Sequence, residues 1–183
     1  HIADYLGMVQ HLDEAVGGIL DHLARLGLAD NTIVIFTADH GIALGQHGLM
    51  GKQNLYEHST RIPLIAAGPG IPPGIRSTEL VWHADTAATI LLAAGVDASA
   101  AAEGGDLRAV VSTQHHEPLR QSFAMVHSES QRAIRSARWK LIRYQPNASP
   151  KFAMAPEGRT SRGSDTEQLF DLESDPAETI NRA

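Results

Sequence analysis

The sequence has no cysteine, no long apolar run and few positive charges, and each absence excludes a class of protein. Without cysteine the chain has no disulfide scaffold, no thiolate zinc site and no cysteine nucleophile. No stretch reaches the roughly 18 apolar residues that a membrane-spanning helix needs, so we expect no membrane span. Acidic residues outnumber basic ones, 21 to 15. We therefore expect no nucleic-acid partner, because sequence-independent binding depends on Lys and Arg neutralising phosphates.

The composition that is present is typical of a soluble globular protein with a hydrophobic core. Of the 183 residues, 43% are hydrophobic and 20% are charged. Ten histidines are a large number for this length. They make a metal-binding or acid–base role worth testing.

The first segment has the apolar period of an amphipathic helix that ends at Gly27. The apolar positions recur every three or four residues: Ile2, Tyr5, Leu6, Val9, Leu12, Val16, Ile19, Leu20, Leu23 and Leu26. No capping signal precedes the start of this period. We therefore expect the chain to be cut from a longer protein, with the cut at or inside this helix.

The rest of the pattern predicts an α/β part followed by a small antiparallel part. Residues 32–37 form a continuously apolar, β-branched run, typical of a strand covered by helices in a parallel sheet. A short strand over 63–67 and a helix from Asp85 to Ala94 follow. Four short strands (122–127, 132–136, 139–144, 168–172), a loop over 145–165 and a last helix opened by Asp175-Pro176 complete the chain. The predicted division is 1–120 and 121–183.

Residues with the right chemistry for a metal site follow the first strand. Asp39 offers a carboxylate oxygen, His40 an imidazole nitrogen, and Gly41 allows close backbone approach. Twelve residues after His40, Lys52 supplies a cation that could grip an anionic oxygen. The spacing alone leaves two interpretations open. One is a site for an anionic ester; the other is an ordinary turn at the strand end and a solvated loop charge.

Several ordered blocks resemble the second half of the sulfatase family. They are 31–41 (NTIVIFTADHG), 44–48 (LGQHG), 51–57 (GKQNLYE), 61–65 (RIPLI), 68–71 (GPGI), 83–85 (HAD), 138–142 (RWKLI) and 169–176 (LFDLESDP). The resemblance implies an alkaline-phosphatase-like sandwich, a mostly parallel sheet flanked by helices. Residues 1–120 would be the latter part of its catalytic domain, and 121–183 a small antiparallel C-terminal subdomain with a terminal helix.

The same resemblance implies roles for particular residues. Asp39 and His40 match two ligands of the family's divalent metal, usually calcium, although an imidazole ligand leaves manganese possible. Lys52 matches the lysine that contacts the sulfate group, and is the expected catalytic and substrate-binding residue. His47 is expected either to contact substrate or to pack within its loop. Structural roles are expected for Glu57, His58 and Arg61 in holding this loop to the sheet, and for His83 and Asp85 at a helix entry. His115 and His116 are expected to be a solvated pair.

The departures from the family pattern limit what this chain is expected to do alone. Sulfatases use a formylglycine nucleophile made from a Cys/Ser-x-Pro-x-Arg motif in the N-terminal half. The nearest match here, Ser174-Asp175-Pro176-Ala177-Glu178, ends in Glu. We therefore expect an inactive portion of a sulfatase, packed against a missing N-terminal part of its own domain.

Alternatives remain at this point. The chain could belong to a phosphodiesterase or phosphonate hydrolase of the same superfamily, or be a non-catalytic binding or structural module on the sulfatase scaffold. Aryl, carbohydrate and choline sulfates are all candidate substrates. A periplasmic or secreted location would follow from an upstream signal, and a cytoplasmic one from its absence.

Overall fold

The structure, a computed structural model, describes residues 2–97, 103–112, 117–145 and 167–183. The α-helices are α1 (Ile2–Arg25), α2 (Glu57–Thr60), α3 (His83–Ala93) and α4 (Leu107–Val110), and short 3-10 helices occur at Ala29–Asn31 and Gln46–Gly48. The strands are β1 (Val34–Thr37), β2 (Ala43–Leu44), β3 (Met50–Gly51), β4 (Leu64–Ala67), β5 (Ser122–His127), β6 (Gln131–Ser136), β7 (Trp139–Tyr144) and β8 (Glu167–Asp171). The His115–His116 pair and all of the predicted 145–165 loop except Gln145 lie outside the described residues.

The long first helix forms as its apolar period predicts. It ends two residues before Gly27, whose φ of 67° lies in the left-handed region that favours glycine after a helix. No residue of α1 is buried, so its apolar stripe, including Leu6 and Ile19, faces solvent. No helix in the described ranges combines the length and hydropathy needed to cross a membrane.

The sheet that carries the candidate site is antiparallel, which differs from the predicted parallel arrangement. β1 pairs with β4 in the register Val34 to Ala67 and Thr37 to Leu64. Every strand pair within the described ranges is antiparallel. A continuous apolar run indicates cover on both faces of a strand but carries no information on the direction of its neighbour. The prediction of a mostly parallel sheet is therefore not confirmed.

The C-terminal part contains the predicted antiparallel sheet. Strands β5, β6, β7 and β8 are hydrogen-bonded in chain order. Their limits agree with the sequence pattern to within one residue, because alternation of apolar and polar residues is a local signal. The division at residue 120 stays a prediction.

The buried core joins this sheet to the segment that follows β1. Its members come from both regions: Ala43, Leu49, Leu55, Tyr56, Ala133, Ile142 and Phe170. The segment carrying Lys52 therefore packs directly on the C-terminal sheet.

The predicted terminal helix is wrong. After β8 the chain forms turns, and no helix occurs in residues 172–183. The Asp175 carboxylate accepts hydrogen bonds from the Thr179 hydroxyl at 2.9 Å and from the Ile180 amide at 2.8 Å. Glu178 adopts φ 57°, which is incompatible with a right-handed helix. A capping residue thus closes a turn here instead of starting a helix.

Candidate active site

Asp39 stands just beyond the end of β1, where the backbone leaves the sheet. The last strand residue, Thr37, donates its hydroxyl to the Pro63 carbonyl at 2.9 Å, which fixes the strand end against the segment before β4. The Asp39 side chain is 83% exposed, and its Oδ1 accepts a hydrogen bond from the His40 amide at 3.0 Å. The carboxylate is therefore oriented by the backbone while Oδ2 faces solvent and the His40 ring.

The His40 ring is held in one tautomer. Its Nδ1 lies 2.9 Å from the Gly41 carbonyl oxygen, which only accepts, so Nδ1 carries the proton of the neutral ring. The unprotonated Nε2 then lies 3.2 Å from Asp39 Oδ2 and accepts a hydrogen bond from Lys52 Nζ. His40 Nε2 and Asp39 Oδ2 both present lone pairs to one another, and a cation placed between them stabilises this arrangement. The Lys52 ammonium supplies one such cation.

Lys52 follows β3 in a tight turn. Its amide donates to Gln53 Oε1 at 3.0 Å, and its carbonyl accepts from the Asn54 amide at 2.9 Å. The neighbouring Gly51 has φ 93°, a conformation that favours glycine. The structure therefore brings together three of the predicted site residues, Asp39, His40 and Lys52.

Gly41 joins this group to α2. Its amide donates to the Ser59 carbonyl at 2.9 Å. A Cβ at position 41 would lie only 2.0 Å from the His58 carbonyl oxygen, so the two backbones approach as closely as glycine permits. The position of His40 thus depends on the position of α2.

A buried ion cluster anchors α2 to the C-terminal sheet. The Lys140 side chain is fully buried, and its Nζ lies 3.0 Å from Glu57 Oε1 and 3.0 Å from Glu178 Oε1. Arg135 also pairs with Glu57, at 3.3 Å. The predicted structural role of Glu57 is confirmed, because it ties its loop to β6 and β7.

The charges in this cluster shift the two carboxyl groups in opposite directions. Burial alone would raise the pKa of Glu57, but the nearby Lys140 and Arg135 lower it below its usual value. Burial raises the pKa of Glu178, and Lys140 only partly offsets that effect. Glu57 therefore loses its proton at a lower pH than Glu178 does.

Sequence reasoning missed Lys140 and Glu178. A signal for Lys140 was present, because it lies two residues from the fully buried Ile142 in an alternating strand and so shares its core-facing side. A lysine at a core position requires a buried anion. For Glu178, which lies in a turn, the local sequence has no comparable signal.

His47 makes its contacts away from the Asp39–His40–Lys52 group. Its ring stacks on Tyr56 with centroids 4.0 Å apart, and its Nε2 donates to the Ala177 carbonyl at 3.0 Å. Burial lowers the pKa of His47. These contacts favour the loop-packing role of His47. Contact of His47 with substrate stays a prediction.

His58 completes this ring cluster as a neutral side chain. Its ring lies 5.7 Å from that of His47 and 5.6 Å from that of Tyr56. Burial, assisted by His47 and Lys140, lowers the pKa of His58 to about 4. His58 is therefore uncharged at neutral pH.

The second histidine near the strand end is His83. Its Nε2 donates to the Ala38 carbonyl at 2.8 Å, so α3 holds the backbone immediately before Asp39. The fully buried Asp85 accepts the Trp82 amide at 2.8 Å and pairs with Arg120 at 2.5 Å. The helix-entry role predicted for Asp85 is confirmed, and the contact of His83 with the strand end was not predicted.

Asp39 and His40 have donor atoms that suit a divalent metal. Asp39 provides a carboxylate oxygen, and His40 an imidazole nitrogen with its other N–H held by a carbonyl, as is usual for metal-bound histidine. Within the described part of the chain no group of three or more His, Asp or Glu side chains is arranged to hold a metal. The two residues therefore fit as part of a ligand set, with manganese suited to the mixed nitrogen and oxygen donors and calcium to further oxygens.

Comparison with known proteins identifies the family. The sequence profile described as Sulfatase matches residues 1–96, more than half of the chain. The chain belongs to the sulfatase family. The matched range includes Asp39, His40 and Lys52.

Individual relatives of this sulfatase-family chain extend the match to its whole length. It is 34% identical over 184 residues to a choline-sulfatase of Rhizobium meliloti, covering 98% of this chain and 32% of that protein. A solved structure of a protein bound to its substrate D-glucosamine-2-N,6-O-disulfate superposes with a TM-score of 0.77 at 30% identity. It covers 97% of this chain and 35% of that one. The chain therefore spans about a third of the length of these proteins.

A phosphonate monoester hydrolase of Silicibacter pomeroyi shares the same fold. Its structure superposes with a TM-score of 0.72 at 25% identity, covering 92% of the sulfatase-family chain and 34% of the hydrolase. The neighbours thus have the alkaline-phosphatase-like fold expected for the family.

Proposed function

We propose that this chain is part of a metal-dependent sulfuric-ester hydrolase. The observation that carries the proposal is the convergence of Asp39, His40 and Lys52 at the end of β1. A carboxylate, an imidazole whose Nε2 accepts from Lys52 and an ammonium provide metal ligands and an anion-binding cation at one place. Family membership independently favours a sulfate ester as the anion.

In this proposal Asp39 and His40 hold the divalent metal, calcium or manganese. When bound, such a metal supplies Lewis-acid polarisation of an ester oxygen. The carbonyl of Gly41 orients His40 by accepting its Nδ1–H, and the amide of His40 orients Asp39. Neither ligand then needs reorientation when substrate arrives.

Lys52 is proposed to bind the sulfate group. Its ammonium would exchange the hydrogen bond to His40 Nε2 for one to a sulfate oxygen, and offset negative charge that develops on the leaving oxygen. The rigid turn on either side of Lys52 limits the side chain to this region.

We also propose that the 183 residues are inactive alone. The chain has no cysteine and no Ser-x-Pro-x-Arg motif from which a formylglycine nucleophile could be made. The exposed apolar stripe of α1 is proposed to pack against the rest of the longer protein, which would also contribute the remaining metal ligands. Turnover by a preparation whose mass matches only these residues would contradict the claim of inactivity.

A phosphonate monoester hydrolase is the second candidate function. It is favoured by the structural neighbour with that activity in its name, and phosphonate monoesters share the tetrahedral anionic group that Lys52 would bind. The substrates named for the other neighbours, including a sulfated glucosamine, make carbohydrate sulfates and choline sulfate candidates beside aryl sulfates.

The test is a comparison of turnover by the longer protein that contains this chain. We expect sulfate release from an aryl, a glucosamine or a choline sulfate with a kcat/KM at least tenfold above that for a phenyl phosphonate monoester. The preferred ester also identifies the substrate class. A higher kcat/KM for the phosphonate would favour the second candidate, and no turnover of any ester would favour a non-catalytic module.

A further inference from the structure

The short turn formed by residues 175–178, here the C-terminal turn, contacts both loops next to the candidate site. Its Ala177 carbonyl accepts a hydrogen bond from His47 Nε2 at 3.0 Å. Its Glu178 Oε2 accepts the amide of Glu57 at 2.6 Å. One turn near the end of the chain therefore holds segments on either side of Lys52.

Backbone strain is concentrated at the same contacts. Among non-glycine residues in the described ranges, positive φ angles occur at His47 (55°), Ser128 (49°) and Glu178 (57°). His47 and Glu178 both lie at the contact with the C-terminal turn, since His47 donates to Ala177, the residue before Glu178. Such conformations are strained, and they persist where surrounding contacts determine the geometry.

The Glu178 carboxylate is buried, and its two oxygens face different partners. Its side chain is 1% exposed, with one oxygen on the Glu57 amide and the other 3.0 Å from Lys140 Nζ. Removing one partner of a buried charged group leaves the others uncompensated. The position of α2 is thus strongly coupled to that of Glu178.

The C-terminal turn is itself fixed to the sheet. The Asp175 amide donates to the Asp171 carbonyl at 2.8 Å, and the Asp175 carboxylate closes the turn on Thr179 and Ile180. The Arg182 amide donates to the Leu169 carbonyl at 2.9 Å. The turn that contacts Glu57 and His47 is therefore itself hydrogen-bonded to β8.

We propose that the C-terminal turn is a positioning latch that sets the location of Lys52 relative to His40, with Glu178 as its positioning residue. Glu178 fixes Glu57 at the start of α2, and α2 in turn holds Gly41 beside His40 through the Ser59 carbonyl. Asn54 connects α2 to Lys52. Its Oδ1 accepts from the Tyr56 amide and the Ser59 hydroxyl, and its amide donates to the Lys52 carbonyl. This inference rests on the proposed role of Lys52.

The test compares Glu178→Ala with Glu178→Gln in the longer protein. Amide hydrogen exchange at Glu57 and through residues 46–60 is expected to accelerate at least tenfold in Glu178→Ala. Glu178→Gln, whose side-chain oxygen still accepts from the Glu57 amide but whose NH2 group replaces the anion beside Lys140, should restore part of the protection. In parallel, kcat for the sulfate ester should fall about tenfold to a hundredfold in Glu178→Ala, since small misplacement of a positioned group has effects of this size.

Glu173→Gln is the matched control, because Glu173 lies near the same turn but its side chain is 74% exposed. It should leave both exchange and kcat unchanged. Exchange over 46–60 that is equal in Glu178→Ala and Glu173→Gln would overturn the latch, as would faster exchange spread evenly over β5–β8. If Glu178→Ala fails to fold, the shorter Glu178→Asp provides the same comparison.

The two proposals fail in different ways. A wild-type protein without sulfate-ester turnover refutes the proposed function, and the exchange data then decide the latch alone. Unchanged exchange with normal wild-type turnover refutes the latch and leaves the function standing.

Discussion

Lys52→Met is expected to lower kcat/KM for the sulfate ester by about 10²–10³-fold, the usual effect of removing one group that stabilises developing negative charge. Methionine keeps a similar unbranched shape and removes the cation. Because Lys52 is exposed, the unfolding temperature should stay close to that of the wild type. The measurement is steady-state kinetics with the preferred ester, together with thermal unfolding of the same samples.

Arg76→Met is the control for a general loss of positive charge. Arg76 is exposed and lies in the turn region after Gly74, away from the Asp39–His40–Lys52 group in sequence. Its kcat/KM should stay within about twofold of the wild type, since surface substitutions away from a site have small effects. Equal losses in the two variants would show that Lys52 acts only through overall charge.

Gly41→Ala is expected to destabilise the protein and to reduce its activity. The added Cβ would lie 2.0 Å from the His58 carbonyl oxygen and 2.9 Å from its carbon, so one backbone must move. Overpacking of this kind costs about 1–3 kcal/mol, or more when the neighbour is backbone. The movement displaces His40, so kcat should fall together with the free energy of unfolding, measured by denaturant titration.

Gly17→Ala is the matched substitution. Gly17 lies inside α1, and a Cβ there meets nothing within 4 Å. Alanine in a helix interior is favoured over glycine by up to about 1 kcal/mol, so this variant should be as stable as the wild type or more stable. A Gly41→Ala variant that matches it in stability and activity would contradict the close-approach argument.

Local signals predicted the individual elements well. The three-to-four-residue period of α1 and the alternation of β5–β7 give their limits closely, because each reflects contacts of neighbouring residues with one surface. The direction of pairing between β1 and β4 was not predictable in this way. An apolar run indicates burial on two faces and says nothing about which strand lies beside it.

The error at Asp175-Pro176 has a tertiary cause. The pair is a sound helix-start signal, but Glu178 must turn inward to reach Glu57 and Lys140. Glu178 makes these contacts with a left-handed backbone, φ 57°, which is incompatible with a right-handed helix there. The long-range contacts of Glu178 therefore outweighed the local preference of Asp175-Pro176 for a helix start.

The residues of the candidate site likewise differ in whether a local signal predicts them. Asp39, His40 and Lys52 could be predicted because they stand in motifs next to strand ends. Two supporting residues from distant parts of the chain, Lys140 and Glu178, were recognised only from the structure, as was the contact of His83 with the strand end. Motifs next to strand ends are visible in the sequence, whereas long-range contacts that hold such residues in place are not.

The most direct test of the central claim is a crystal structure of the longer protein grown with manganese and sulfate, with anomalous scattering used to locate the metal. We predict a manganese peak bonded to an Asp39 carboxylate oxygen and to His40 Nε2, and a sulfate oxygen within hydrogen-bond distance of Lys52 Nζ. Manganese held elsewhere while Asp39 and His40 make no contact with it, or sulfate bound away from Lys52, would contradict the account.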